Sequence, residues 1–117
     1  MKQEDKQLLL KDLCARLPYG VICDIYNDTC TIKEKLLFGG ISRFADDTIC
    51  LRPYLRPMSS MTEEEKEQIR DFWIDADVKT HATQLIDFYN RHHFDYRGLI
   101  EKGLAIEVTE ENNPYKD

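Results

Sequence analysis

Val21-Ile22-Cys23-Asp24-Ile25-Tyr26-Asn27-Asp28-Thr29-Cys30-Thr31-Ile32-Lys33 reads as a β-hairpin, two strand-like runs around the turn residues Asn27-Asp28. Pairing Tyr26 with Thr29 puts Val21, Cys23, Ile25, Cys30 and Ile32 on one face, because strand side chains alternate. That face is apolar throughout. It is therefore expected to face the core and to carry two cysteines into it.

Upstream, Leu9, Leu10, Leu13 and Leu17 recur at spacings of three and four, one stripe of an amphipathic helix that Pro18 ends. Downstream, Gly39-Gly40 before Ile41-Ser42-Arg43-Phe44 and Asp46-Asp47 before Thr48-Ile49-Cys50-Leu51-Arg52 read as two further turns, each leading into a short strand. Pro53 and Pro57 remove ladder donors, so the last strand is expected to be an edge or to stop near Pro53. Thr62 with Glu65 is a capping box, repeated by Ser60 with Glu63, and it opens a helix whose buried face is Ile69, Phe72 and Trp73. Asp75-Ala76-Asp77 separates it from a longer helix carrying Val78, Ala82, Leu85, Ile86 and Tyr89 to about Arg91. A short helix from Tyr96 to Lys102 stopped by Gly103, a strand at 104–108 and a frayed polar tail at 109–117 complete the reading. The expected class is α+β: an N-terminal helix, an antiparallel meander of three to four strands, two or three packed helices, and a short C-terminal strand. Residues 1–117 are expected to form one domain.

Composition supports this. The chain has 117 residues, 42% hydrophobic and 32% charged, which suits one globular core and not a disordered chain. No apolar run approaches the length of a bilayer span, and the acid-containing start is not a secretory leader, so a cytoplasmic location is expected. Cys14, Cys23, Cys30 and Cys50 form no CxxC pair and are read as reduced, buried small hydrophobes. Residues 1–57 hold nine Lys/Arg against eight Asp/Glu, and residues 58–117 hold seven against fourteen. So acidic a second half argues against a general nucleic-acid binder, leaving weak binding through the basic residues of the first half as an alternative.

Two clusters could carry chemistry. His92, His93 and Asp95 are two imidazoles and a carboxylate within four residues, the residue types of a metal or acid–base site. His81 stands eleven residues before His92, about 16 Å along one helix, too far to serve as a further ligand. The structural alternative is a helix C-terminus with Asp95 capping the next segment. The second cluster, Arg52-Pro53-Tyr54-Leu55-Arg56-Pro57, sets two arginines around a tyrosine on a stiff segment. Arg52, Tyr54 and Arg56 are the candidate contacts for a partner or anion, with arginines paired to the acidic half as the structural alternative. Asp46-Asp47 and Asp75 with Asp77 lack the loop of a calcium site. No phosphate loop, HExxH or GxSxG is present, and no cofactor is implied.

Three segments, residues 13–22, 52–65 and 92–107, resemble small uncharacterised proteins of gut anaerobic bacteria and their phages or prophages. The resemblance covers roughly a third of the chain and implies no activity and no site residue. It implies context: a small acidic domain that binds a host or phage protein. A non-catalytic binding or accessory module is the expectation, with a metal-dependent enzyme built on His92, His93 and Asp95 as the rival.

Overall fold

The computed structural model describes the backbone of residues 1–75 and 78–116, and the side chains of these residues outside 72–81. The fold is α+β and opens with α1 (Gln3–Arg16). Then come β1 (Ile22–Tyr26), β2 (Thr31–Lys35), α2 (Phe38–Ala45), β3 (Cys50–Leu55), α3 (Glu63–Asp75), α4 (Val78–Arg91) and β4 (Ile106–Glu107). The strands form one sheet in the order β2-β1-β3-β4. The three strands of the first half are antiparallel as expected, with β1 pairing with both β2 and β3, and the short C-terminal strand β4 adds a parallel pair to β3, so the sheet is mixed.

The hairpin forms with a longer turn than expected. Tyr26 pairs with Thr31, not Thr29, and residues 27–30 make the connection. Asn27 organises it: its Oδ1 accepts hydrogen bonds from the backbone N–H groups of Thr29 (2.9 Å) and Cys30 (3.0 Å), and its own N–H donates to the Cys30 carbonyl (3.0 Å). The slip is two residues, so every paired side chain keeps its expected face. Cys23 is buried, and burial raises its thiol pKa to about 12. Cys30 leaves the ladder for the turn and is exposed, as are Cys14 and Cys50; all four are free thiols. The reading of the cysteines as buried hydrophobes therefore holds for Cys23 alone.

Residues 38–45 are helical where a strand was expected. Ile41 and Phe44 are both buried, which a strand could not achieve, because residues three apart fall on opposite faces of a sheet and on one face of a helix. Asp47 then takes a left-handed conformation (φ 66°), and Asp46 Oδ1 accepts from the Thr48 N–H (3.1 Å), turning the chain into β3 as the Asp46-Asp47 signal predicts.

β3 neither stops at Pro53 nor lies at an edge; it is a central strand reaching Leu55. The reason is register. Cys23 is opposite Pro53, and the next pair would be Ile22 with Tyr54. There the hydroxyl of Tyr115 is inserted, accepting from the Ile22 N–H (2.9 Å) and donating to the Tyr54 carbonyl (2.7 Å). Those two groups thus point at each other across the ladder. Pro53 falls at the alternate position, where the missing N–H would have pointed away from β1. Residues 109–117, read as a frayed tail, accordingly carry the side chain that closes the β1–β3 ladder. Burial pushes the Tyr115 hydroxyl pKa upward, which fits a phenol committed to this bridge.

Beyond Leu55, β3 continues as a parallel bridge to the stretch after α4. The Arg56 N–H donates to the His93 carbonyl (2.7 Å), and the Asp95 N–H donates to the Arg56 carbonyl (2.8 Å). Residues 96–102 form turns where a short helix was expected, since Asp95 supplies the local acceptors: its two oxygens take the Leu99 and Ile100 N–H groups at 2.9 Å each. Gly103 does end this stretch, with φ 74°. The capping box is made as predicted, Thr62 N–H to Glu65 Oε1 (2.9 Å) and Glu65 N–H to Thr62 Oγ1 (3.2 Å). The side chains of the expected core residues Phe72, Trp73 and Val78 and of His81, and the Ala76-Asp77 junction, lie outside the described residues.

Leu9 and Leu13 of α1, with Ile41 and Phe44 of α2, join Cys23, Leu51 and Leu55 of the sheet and Leu99, Leu104 and Ala105 in one core. The same face of α1 buries an ion pair. Asp12 and Arg16 are each 0% exposed and joined at 2.7 Å. Arg16 Nη2 donates to the Phe94 carbonyl (2.6 Å), and Arg97 Nε donates to the other Asp12 oxygen (3.1 Å).

Asp12→Ala strips one carboxylate from two guanidiniums, one fully buried, so it is expected to lower unfolding free energy by about 3–5 kcal/mol. An Asp12→Leu/Arg16→Met double variant, which removes the buried charges together, is expected to lose less. Urea denaturation measures both; a double variant as unstable as Asp12→Ala would mean that the packing and not the charge pairing is what matters here.

Candidate functional site

β3 alternates its side chains, so Arg52 and Tyr54 share the sheet face opposite the core. Tyr54 is buried. Its hydroxyl donates to Asp24 Oδ1 (2.8 Å), and burial, then Asp24, raises its pKa to about 12. Lys33 Nζ lies over the Tyr54 ring at 4.9 Å, and the Arg52 guanidinium lies over Tyr26 at 5.6 Å. Arg52 itself is exposed, on a small surface depression with Asp24, Tyr26 and Thr31. Arg56 is engaged internally: Nη1 and Nη2 grip the two Glu65 oxygens at 2.8 Å each, Nη2 also reaches the Ser60 carbonyl (3.0 Å), and the guanidinium sits 4.1 Å over Phe94. Arg56 thus realises the structural alternative, an arginine paired with the acidic half. The Arg56 fork, backed by the capping-box N–H of Thr62, holds Glu65 down to about 2.

His92, His93 and Asp95 do not converge on one point. Asp95 spends both oxygens on backbone N–H groups, the capping role that was its structural alternative. His92 packs at a tilt against Phe88 (ring centroids 4.3 Å) and turns Nδ1 toward Glu65 Oε2 at 3.5 Å. His93 adopts a left-handed backbone (φ 64°), uncommon outside glycine, and stacks flat on Tyr115 at 3.7 Å. Its Nδ1 is buried, without a hydrogen-bond partner among the described residues. Among the described residues, no three His, Cys, Asp or Glu side chains stand together at metal-ligand spacing.

Two surfaces remain, the first touched by the sequence candidates Arg56, His92 and His93 and the second by none of them. One is a cleft of about 700 Å³ between the end of α4 and the C-terminal segment, where His92 and His93 meet Tyr115. The other lies at the outer edge of β2. All five β2 residues are exposed, and Leu37 and Phe38 beside it are 67% and 75% exposed. Leu37, with Ile25, Ile32 and Ile49, borders a groove of about 260 Å³ that Gly39, Gly40, Glu34, Lys35 and Arg43 also line, and Phe38 is exposed beside it. The signal was present in the chain: Leu37 at the N-cap and Phe38 at the first helical position stand where polar caps are favoured.

His93 has a pKa lowered to about 4 by burial, with Arg16, His92 and Arg56 adding to it, and His92 is lowered mainly by burial. Unfolded, each histidine takes up its proton near 6.5 while the folded protein resists, so stability is full above that pH and falls between about 6.5 and 4. Glu65 acts in a lower window, its contribution present above about 4.5 and lost as pH falls toward about 2. Denaturation midpoints measured against pH are expected to show both slopes. His93→Asn, which tolerates the left-handed backbone, should flatten the upper one and Glu65→Gln the lower one; an upper slope unchanged in His93→Asn would assign it elsewhere.

No protein-family model, curated protein or solved structure matches the chain.

Proposed function

We propose that this protein is a non-catalytic protein-binding module that captures an extended segment of a partner along the outer edge of β2. The observation that carries the reading is the pair Leu37–Phe38, large apolar side chains exposed beside an unpaired strand edge. An open edge offers backbone donors and acceptors, and adding a strand to it is a general mode of peptide capture.

Side-chain alternation selects the partner. On the core side of the edge, an added strand meets the groove of Ile32, Leu37 and Gly39. On the other side, it meets Lys33, while Lys35 and Glu34 stand at the groove itself. An occupant alternating apolar with acidic residues complements both. Gly39 supports this. Its φ is ordinary, and a Cβ there would meet nothing within 4 Å, so neither backbone nor packing requires glycine. Glycine in a helix costs about 1 kcal/mol against alanine, and here it leaves the groove open.

The nucleic-acid alternative fits less well. Lys33 and Arg52 already lie over the rings of Tyr54 and Tyr26, and Tyr54 is buried, so these faces are not presented as stacking platforms. The metal-enzyme alternative loses Asp95 to its capping role. The resemblance to phage and prophage proteins agrees with a host or phage protein as the partner.

Selection from a random peptide display library is expected to enrich apolar–acidic alternation. Phe38→Ser should abolish capture of the selected peptides while changing stability by less than about 0.5 kcal/mol. Gly39→Ala should stabilise the domain by about 0.5–1 kcal/mol and weaken capture. Peptides that bind equally well to Phe38→Ser would remove the β2 edge from consideration.

A further inference from the structure

A single side chain fastens the C-terminal segment to the sheet. Residues 109–116 otherwise hydrogen-bond close to themselves: Thr109 N–H and Oγ1 donate to Asn112 Oδ1 (2.6 and 2.9 Å), Asn112 Nδ2 donates to the Glu107 carbonyl (3.0 Å), and the Tyr115 N–H donates to Asn113 Oδ1 (2.9 Å). Among the described residues, every hydrogen bond from this segment to the chain before β4 runs through the Tyr115 hydroxyl. Glu110, Glu111 and Lys116 make no ion pair there, and the hydrophobic core includes no residue of the segment.

The place that this hydroxyl fills has a definite chemistry. The Ile22 N–H and the Tyr54 carbonyl face each other across the end of the β1–β3 ladder, and one oxygen between them must accept from the first (2.9 Å) and donate to the second (2.7 Å). A hydroxyl does both; a carboxylate accepts only and an ammonium donates only. The His93 ring lies 3.7 Å from the Tyr115 ring and 7° from parallel, a flat wall that suits an aromatic ring behind the hydroxyl. The slot is therefore shaped for a phenol.

We propose that residues 109–116 are a detachable strap with Tyr115 as its latch, and that the slot between Ile22 and Tyr54 is a phenol site, filled by Tyr115 and open to a tyrosine of a binding partner when the strap is released. A segment held by few buried contacts opens at a lower free energy than the domain as a whole, so the strap separates while the core stays folded. Release does more than expose the ladder end. Thr109, Glu110, Asn113 and Lys116 line the cleft at the end of α4 together with Tyr115, so the cleft loses that wall as well. The slot does not depend on the β2 edge, and either can fail without the other.

Native-state hydrogen exchange tests this on two amides at the same end of β1. The Ile22 N–H bonds the Tyr115 hydroxyl, whereas the Leu36 N–H bonds the Val21 carbonyl (2.9 Å) on the β2 side. The Ile22 amide is expected to exchange at a rate that hardly responds to denaturant, since strap release exposes little surface. Tyr115→Phe should speed Ile22 about tenfold or more and leave Leu36 unchanged. Tyr115→Ala should still fold, and p-cresol at millimolar concentrations should restore Ile22 protection saturably, while toluene, the same ring without the hydroxyl, should not. An Ile22 rate that climbs with denaturant as steeply as global unfolding, or a Tyr115→Ala protein that does not fold, would make the segment part of the fold and overturn the strap. Restoration by both ligands equally, or by neither, would overturn the phenol site.

Discussion

A fully buried guanidinium governs the arrangement of this domain. Arg16 cannot be left uncompensated in a core, so every group that satisfies it is fixed relative to α1: Asp12 one turn earlier, and the Phe94 carbonyl 78 residues later. Asp12 in turn takes Arg97, which ties the stretch after α4 a second time. Helix burial alone would let α1 slide along the sheet, since leucines pack with little directional preference. The hydrogen bonds through Asp12 and Phe94 have fixed directions and set one register between the two ends of the chain.

From Phe94 the constraint propagates to the sheet. Holding residue 94 against α1 places His93 and Asp95 on either side of it, and their backbone groups pair with Arg56 to extend β3 past the end of β1. The gap left at Ile22 and Tyr54 is filled by the Tyr115 hydroxyl, whose ring stacks on His93. The left-handed backbone of His93 is intelligible as the bend needed to leave α4 and enter this bridge while presenting a ring to Tyr115. The Arg56 side chain, fixed by the same bridge, then fastens Glu65 and the start of α3. One sequence of contacts thus joins α1, the turn after α4, the C-terminal end of β3, the C-terminal segment and α3.

The sequence displayed those parts of the fold that rest on local rules. Leucine spacing in α1, the capping box at Thr62 and Glu65, the turn at Asp46-Asp47 and the strand face carrying Cys23 and Ile25 each follow from neighbours within a few residues, and each is found. What was not legible depends on distant partners. Gly39-Gly40 looked like a turn because glycine is permissive, but Ile41 and Phe44 needed one common face, and that demand arises only when the core is assembled. Pro53 suggested an edge because its missing donor is costly, yet the cost disappears at a position that points away from the partner strand. Asp12 and Arg16 fall at the spacing of the buried stripe with Leu9 and Leu13, and were unread because charged residues are taken to be solvent-facing. Arg56 was legible as important and not as structural, since its partner Glu65 was already assigned to the cap.

The β2 edge and the cleft at the end of α4 differ in their relation to the Arg16 network, and the difference follows from their positions in the sheet. The β2 edge lies at one side of the sheet, outside the Arg16 network, where Leu37 and Phe38 can face solvent and Gly39 can weaken a helix without disturbing the core. A surface that acquires a strand needs exposed backbone and tolerates local looseness. The cleft lies toward the opposite edge, where the bridge through Arg56, His93 and Tyr115 holds its wall. Rigidity in this chain is concentrated where Arg16 is satisfied, and His93 sits one residue from the carbonyl that satisfies it. The same contact that makes the fold specific therefore gives His93, the left-handed cap at the end of α4, a fixed position.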